Sequence, residues 1–115
     1  MQIFRVIILA AVVAIVACSR APVITITNSA PVALTNIVVS GSGFTQRVDN
    51  IAVGGERSLT VRPRGESGVR ITFEAGGQHF DSGEQGYFEG SGGYRVAVTV
   101  ASDLKISVSS DLHSY

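Results

Sequence analysis

Hydrophobic and polar residues alternate along most of the chain from Val23 onward, in short runs separated by turn-forming residues. Side chains two positions apart in an extended chain point to the same side, so each run has one apolar face and one polar face. The apolar faces comprise Ile24 and Ile26; Ile37 and Val39; Leu59 and Val61; Val69, Ile71 and Phe73; Tyr94, Val96, Val98 and Val100; and Leu104, Ile106 and Val108. This pattern predicts antiparallel sheets that each bury one face.

Glycine-rich segments between the runs predict tight turns, for example at Gly41-Ser42-Gly43, Gly54-Gly55 and Gly76-Gly77. About seven to nine short strands with regular turn signals are typical of a β-sandwich. We therefore predict an all-β fold, a single small antiparallel β-sandwich over residues 23–110, followed by a flexible C-terminal tail at 111–115. A transthyretin-like sandwich or a small barrel is the alternative.

The first 17 residues have a different pattern. Arg5 is followed by an uninterrupted apolar run from Val6 to Ala17. A membrane-spanning helix needs about 20 apolar residues, whereas the apolar part of a secretory signal has about 7–15. The length of the run therefore predicts a helical signal peptide over residues 1–17.

The end of this run, Ile15-Val16-Ala17-Cys18, resembles the lipobox of bacterial lipoproteins. The resemblance implies cleavage before Cys18, attachment of diacylglycerol to its thiol and acylation of the new amino terminus. Ser19 stands where an Asp favours retention in the inner membrane of enterobacteria, so the outer membrane, facing the periplasm, is the expected location in the cell envelope. An ordinary signal peptide or an uncleaved anchor is the alternative.

A short tether joins this cysteine to the first strand. Residues 18–22 form it, and the four residues from Ser19 to Pro22 reach about 14 Å when fully extended. The lipid anchor on Cys18 would therefore hold the domain close to the membrane. Because Cys18 is the only cysteine, no disulfide within the chain is available to stabilise the fold.

The charge balance excludes some partners. The chain has 9 basic and 9 acidic residues, and removal of the leader with Arg5 leaves 9 − 1 = 8 basic residues, a net charge of −1. Such a balance carries no signature of nucleic-acid binding. Arg62, Arg64 and Arg70 form a local basic group; we expect them to lie on an exposed strand face and to pair with Glu56, Glu66 or Glu74, and binding of an anionic ligand or lipid headgroup is the alternative.

The strand that begins at Tyr94 also carries a resemblance. Gly92-Gly93-Tyr94-Arg95-Val96 resembles the element that opens strand F in immunoglobulin-like sandwiches, and the segment from Thr27 to Glu56 resembles bacterial immunoglobulin-like or fibronectin type III-like repeats. The resemblance implies an immunoglobulin-like sandwich in which the Tyr94 hydroxyl bonds to nearby backbone, the arrangement called a tyrosine corner.

Residues able to perform catalysis are scarce. The chain has no Gly-x-Ser-x-Gly motif, and its only histidines are His79 and His113. We therefore predict a protein without enzymatic activity, cofactor or metal. His79 and Asp81 share a strand face, with Glu84 and Glu89 nearby, so a metal-binding or carrier protein is an alternative.

The most distinctive segment runs from Gly76 to Gly93 and combines glycines with three aromatic residues. Binding residues concentrate on loops, and tyrosine is enriched at interfaces. We therefore predict a binding loop in which the candidate residues are His79, Phe80, Tyr87, Phe88 and Tyr94. The alternative is a hairpin whose Phe80 and Tyr87 or Phe88 cap the core.

These features favour a membrane-tethered lipoprotein that acts as an interaction or structural module, with a protein of the cell envelope as its partner. A second hypothesis is a periplasmic inhibitor of a cell-wall hydrolase, because Ser91-Gly92-Gly93-Tyr94 resembles the Ser-Gly-x-x-Tyr loop of lysozyme inhibitors. Metal binding is the third.

Overall fold

The computed structural model describes residues 20–112; the predicted signal peptide, Cys18, Ser19, His113 and the last two residues lie outside this range. The described residues form nine strands and no helix. The strands are β1 (Val23–Asn28), β2 (Leu34–Gly41), β3 (Phe44–Ile51), β4 (Glu56–Thr60), β5 (Glu66–Ala75), β6 (Gln78–Asp81), β7 (Gln85–Glu89), β8 (Arg95–Val100) and β9 (Ile106–Asp111).

Two sheets face each other and confirm the predicted all-β sandwich. The first sheet has four strands in the order β4-β1-β8-β9. The second has five strands: β3, β2 and β5 lie side by side, and β6 and β7 both pair with β5. The number of strands lies within the predicted range.

One pairing departs from the predicted antiparallel arrangement. β1 runs parallel to β8, from Val23 opposite Arg95 to Asn28 opposite Val100. Parallel neighbours need a long crossover connection, and here the chain builds β4 and the whole second sheet between them. Local alternation of residues carries no information about this pairing, because it is the same for parallel and antiparallel strands that bury one face.

The predicted inward faces are confirmed for most strands. Ile24 and Ile26 of β1 and Val98 and Val100 of β8 are fully buried in the first sheet. The side chains that meet them from the second sheet and the connecting segments are also buried, among them Leu34, Ile37, Val39, Val48, Val61, Val69, Ile71, Phe73 and Phe88. The core is therefore mainly aliphatic, with Phe73 and Phe88 as its largest members.

Asn28 is a fully buried polar residue at the end of β1. Its Nδ2 atom lies 3.0 Å, 3.1 Å and 3.2 Å from the carbonyl oxygens of Val32, Ile51 and Ala52, and its Oδ1 atom accepts a hydrogen bond of 2.9 Å from the Ala30 amide. This side chain thus joins the β1–β2 and β3–β4 connections, and its polar atoms are satisfied as burial requires.

Several element boundaries differ from the sequence prediction. The weaker strand that the sequence predicts from Phe44 to Val48 continues to Ile51 as β3, and Asp111, assigned to the tail, ends β9 opposite Arg95. Leu104, expected to begin the last strand, lies in the preceding turn with a φ of 69°. β7 lies inside the segment predicted as a loop.

Candidate functional site

The segment from Gly76 to Gly93 is built against one edge of β5. β6 pairs with the second half of β5, from Thr72 to Ala75, and β7 pairs with the first half, from Glu66 to Val69. A β-bulge interrupts the β5–β7 register at Gly68, where a Cβ atom would lie 2.7 Å from Cγ of Glu84. Glycine at this position lets the chain after β6 cross close to β5 before β7 begins.

β7 also approaches β9 of the other sheet. The Tyr87 amide donates a hydrogen bond of 3.3 Å to Oγ of Ser110. Gly86 has a φ of +77°, and a Cβ atom there would lie 2.9 Å from a methyl carbon of Val108. This close contact sets which side chains of β7 point inward: Phe88 is fully buried, whereas Tyr87 is 47% exposed.

Tyr87 meets Tyr94, the residue that follows the segment, at the surface. Their rings stand nearly perpendicular, at 79° and with 6.3 Å between centroids, an edge-to-face arrangement. The Tyr87 hydroxyl donates to Oε1 of Glu66 at 3.3 Å, and the Tyr94 hydroxyl donates to Oε2 of Glu89 at 3.2 Å. We call Glu66, Tyr87, Glu89 and Tyr94 the tyrosine–carboxylate surface.

The hydrogen bond of Tyr94 corrects the expected tyrosine corner. Its hydroxyl bonds to the carboxylate of Glu89 rather than to backbone. The reason is the position of β7, which places Glu89 within reach of the Tyr94 ring. The two tyrosines and two glutamates thus form one polar and aromatic group at the surface. Tyr94 does not bond to the backbone of a loop, as a tyrosine corner would require.

The environment of the tyrosines disfavours ionisation of their hydroxyls. Desolvation, followed by the negative charges of Glu66 and Glu89, raises the pKa of Tyr87 to about 12. Desolvation and the hydrogen bond to Glu89 also raise the pKa of Tyr94. Both tyrosines therefore remain hydrogen-bond donors at neutral pH.

We expect alkaline titration to report this arrangement. Tyr87 should ionise near its raised pKa of about 12, and Glu66→Gln should lower that pKa while leaving it above the ordinary value of 10.0, because desolvation remains. Since the folded-state pKa is the higher one, the contribution of neutral Tyr87 to stability is present below pH 10 and is lost as the pH rises to about 12. Tyrosinate absorbance measures the titration, and Tyr87→Phe assigns it.

Glu74→Gln is the control for this titration, because Glu74 bonds to Asn36 and not to a tyrosine. An equal change of the Tyr87 titration in the Glu66→Gln and Glu74→Gln variants would contradict the role given to Glu66.

A cleft with a volume of about 420 Å³ opens beside Tyr87. Its lining residues are Gly41, Ser42, Glu66, Ser67, Gly68, Glu84, Gly86 and Tyr87. It contains two carboxylates, serine hydroxyls and one aromatic ring, and no basic residue lines it. Such a surface suits a cationic group, which can lie against the ring and between the carboxylates.

The other candidate residues occupy different places. Phe88 was predicted as part of a binding loop, but it belongs to the core and lies 6.1 Å from the Phe44 ring. Phe80 is half-buried and stacks on Phe73 at 5.3 Å, as the hairpin alternative proposed. His79 is exposed on β6 opposite Glu74, on the other half of the β5 edge from Tyr87.

Asp81, which shares a strand face with His79, has other partners. Nε of Arg70 donates to Oδ1 of Asp81 at 2.9 Å, a second guanidinium nitrogen of Arg70 contacts Oδ2, and the Gly83 amide donates to Oδ1 at 2.8 Å. These contacts hold the pKa of Asp81 below its usual range. The expected pairing of Arg70 with Glu56, Glu66 or Glu74 is therefore wrong, because β6 brings Asp81 opposite Thr72, next to Arg70.

Within residues 20–112, no group of three or more His, Cys, Asp or Glu side chains is arranged as metal ligands would be. In the same range, no helix has the length and hydropathy needed to cross a membrane.

Sequence reasoning missed Glu66 and the cleft. Glu66 lies 21 positions before Tyr87 and begins β5, a strand whose alternation in the sequence is strong only from Val69 onward. The signal that could have found it is the pairing of β5 with β7, and that requires β7 to be recognised as a strand.

Comparisons with known proteins define the fold and nothing finer. No family model matches the chain, and no curated protein matches it. Among solved structures, the chain is similar to a protein described as "NMR structure of the protein from Eubacterium rectale", with a TM-score of 0.52 and 18% identity over 85% of this chain and 91% of the other. At this identity the likeness supports the all-β sandwich alone.

Proposed function

We propose that this protein is a lipid-anchored, non-enzymatic interaction module of the bacterial cell envelope, held at the outer membrane and facing the periplasm. The lipobox-like Ile15-Val16-Ala17-Cys18 and the short tether to Val23 support the anchor. The sandwich has its own core and begins directly after the tether, which suits a domain presented next to a membrane.

The observation that carries the interaction role is the exposure of Tyr87. Tyr87 is 47% exposed although the neighbouring Phe88 is fully buried, so Tyr87 is not part of the core. Its hydroxyl and the Tyr94 ring hold it in place. An aromatic side chain fixed in this way can be buried by a partner at low entropic cost, which is why tyrosine contributes strongly to interfaces.

The chemistry of the surface indicates the kind of partner. Glu66, Glu84 and Glu89 surround Tyr87, and none of the three forms an ion pair with a residue in the described range. We therefore propose that the partner is an envelope protein that inserts a lysine or arginine side chain against Tyr87 and between these carboxylates.

The anchor makes a direct prediction. Protein extracted from membranes should have the mass of a chain that begins at Cys18 and carries diacylglycerol, with or without a third acyl chain. Cys18→Ser should abolish the lipid and leave the unprocessed precursor, because a hydroxyl does not replace the thiol in lipid transfer. Intact-mass spectrometry measures both, with Ser19→Ala as the control. A mature chain that starts elsewhere or carries no lipid would contradict the anchor.

The contact surface can be tested in cells. A photoactivatable residue in place of Tyr87 should crosslink to a discrete partner, and the adduct should weaken about tenfold or more when Glu66 and Glu89 are replaced by glutamine, as expected for loss of charged pairs at an interface. The same residue in place of Val53, an exposed side chain in the β3–β4 turn, is the control. Equal crosslinking at both positions, or an adduct insensitive to the glutamates, would contradict the proposal.

A further inference from the structure

The end of the sandwich at which the chain enters is fastened by backbone hydrogen bonds. The Val61 amide donates to the Pro22 carbonyl at 3.1 Å, and the Val23 amide donates to the Tyr94 carbonyl at 3.0 Å. The start of β1, the start of β8 and the residues after β4 therefore lie together. We call this the tether end.

Arginines are concentrated at the tether end. Arg20 lines two neighbouring clefts. It shares the first, of about 280 Å³, with Arg95. It shares the second, of about 160 Å³, with Arg62, Gly90 and Ser91. We call Arg20, Arg62 and Arg95 the arginine corner. All three are exposed. Neither Arg62 nor Arg95 forms an ion pair with any of residues 20–112.

A fourth arginine, Arg64, lies beside the corner in the β4–β5 connection. Its amide donates to the Ser42 carbonyl at 2.9 Å, and the Ser42 hydroxyl donates to the Arg64 carbonyl at 3.2 Å. The backbone of Arg64 is therefore fixed on the β2–β3 turn. The exposed guanidinium of Arg64 adds positive charge to the tether end.

We infer that the arginine corner binds the phosphate groups of anionic lipids and thereby sets the orientation of the domain on the membrane. The inference rests on the proposed anchor, because Arg20 is two residues from Cys18 and can lie at most about 7 Å from it along the chain. Guanidinium groups bind phosphate oxygens with paired hydrogen bonds. Leu112, 61% exposed and next to Asp111 opposite Arg95, adds an apolar contact at the same end.

The acidic residues at this end favour one orientation. Glu66 and Glu89 lie on β5 and β7, beside Tyr87 and Tyr94, whereas Asp111 lies opposite Arg95 on β9 and offsets part of the positive charge of the corner. Anionic headgroups repel Glu66 and Glu89 and attract the arginine corner, so the domain turns the end at which β1 and β8 begin toward the membrane. Tyr94 lines the cleft of Arg20 and Arg95, but Tyr87 and Glu66 line the separate cleft of about 420 Å³, which stays open to a partner.

Spin labelling of the mature lipoprotein in vesicles tests this orientation. Lipidation blocks Cys18, so Thr45→Cys near the tether end or Val53→Cys at the opposite end provides the single reactive thiol. The vesicles contain phosphatidylcholine alone or with phosphatidylglycerol, plus a trace of lipid carrying chelated nickel, which relaxes nearby spins. With phosphatidylglycerol, the label at position 45 should be relaxed much more strongly than the label at 53, and this difference should shrink in neutral vesicles and in high salt.

Substitutions assign the effect to the corner. Arg62→Gln and Arg95→Gln should each lower the ratio of docked to undocked domains about fivefold in anionic vesicles. Arg57→Gln and Lys105→Gln remove the same charge from the opposite end and should leave the ratio unchanged. Relaxation that does not depend on lipid charge would overturn the docking but not the anchor. Equal effects of the Arg62 and Arg95 substitutions and of the Arg57 and Lys105 substitutions would do the same. Failure of the protein to float with either vesicle would instead overturn the anchor, and the docking with it.

Discussion

Phe73→Ala is expected to lower the free energy of unfolding by about 3–5 kcal/mol, the range measured for truncating a buried phenylalanine. Phe73 is fully buried in the second half of β5, and its ring stacks on Phe80 at 5.3 Å. Truncation leaves a cavity between the sheets and also removes the support of Phe80. Since domains of this size have a total stability of about 5–15 kcal/mol, the loss is a large fraction of the whole.

Urea denaturation at neutral pH measures this change. Val53→Ala is the control, because Val53 is 58% exposed and its truncation should change the stability by less than about 0.5 kcal/mol. A Phe73→Ala variant as stable as the Val53→Ala variant would contradict the assignment of Phe73 to the core.

Asn28→Asp is expected to lower the free energy of unfolding by at least about 2–4 kcal/mol at neutral pH, since burial of an unpaired charge is more costly than loss of a neutral hydrogen bond. The change keeps the shape of the side chain but replaces its amide nitrogen with a carboxylate oxygen. This oxygen then faces the carbonyl oxygens of Val32, Ile51 and Ala52. Both the charge repulsion and the lost donor act at a fully buried site.

The cost of Asn28→Asp should depend on pH. Burial and the facing carbonyls raise the pKa of the new carboxyl in the folded state above its unfolded value of about 3.9. The stability deficit relative to the parent protein is therefore full above the folded-state pKa and shrinks as the pH falls toward 4. Asn50→Asp, the same change at an exposed position of β3, should show neither the deficit nor its pH dependence.

The alternation of residues predicted the strands whose faces differ sharply in polarity. In β1 and β8, isoleucine and valine alternate with threonine, arginine or alanine, and burial of one face follows directly from the hydrophobic effect. β7, with the sequence Gln85-Gly86-Tyr87-Phe88-Glu89, has no such alternation. Its glycine and polar residues predict a loop. It forms a strand because it pairs with the first half of β5.

The candidate site was predictable only in part. The segment from Gly76 to Gly93 was identified from its glycines and aromatic residues, and it contains Tyr87, which is exposed. The distinction between Tyr87 and Phe88 was not available from composition, because either ring could fill a core. The contact of Gly86 with Val108 on the other sheet sets the direction of both side chains.

The amino-acid sequence by itself determined the all-β class, most of the inward faces and the lipobox-like segment, because each depends on residues that are neighbours along the chain. Only the tertiary structure decided the parallel pairing of β1 with β8, the joining of two connections by Asn28, the meeting of Glu66 with Tyr87, and the position of Arg62 on the same cleft as Arg20. These contacts join residues far apart in sequence, and they arise because the two sheets must close around one core.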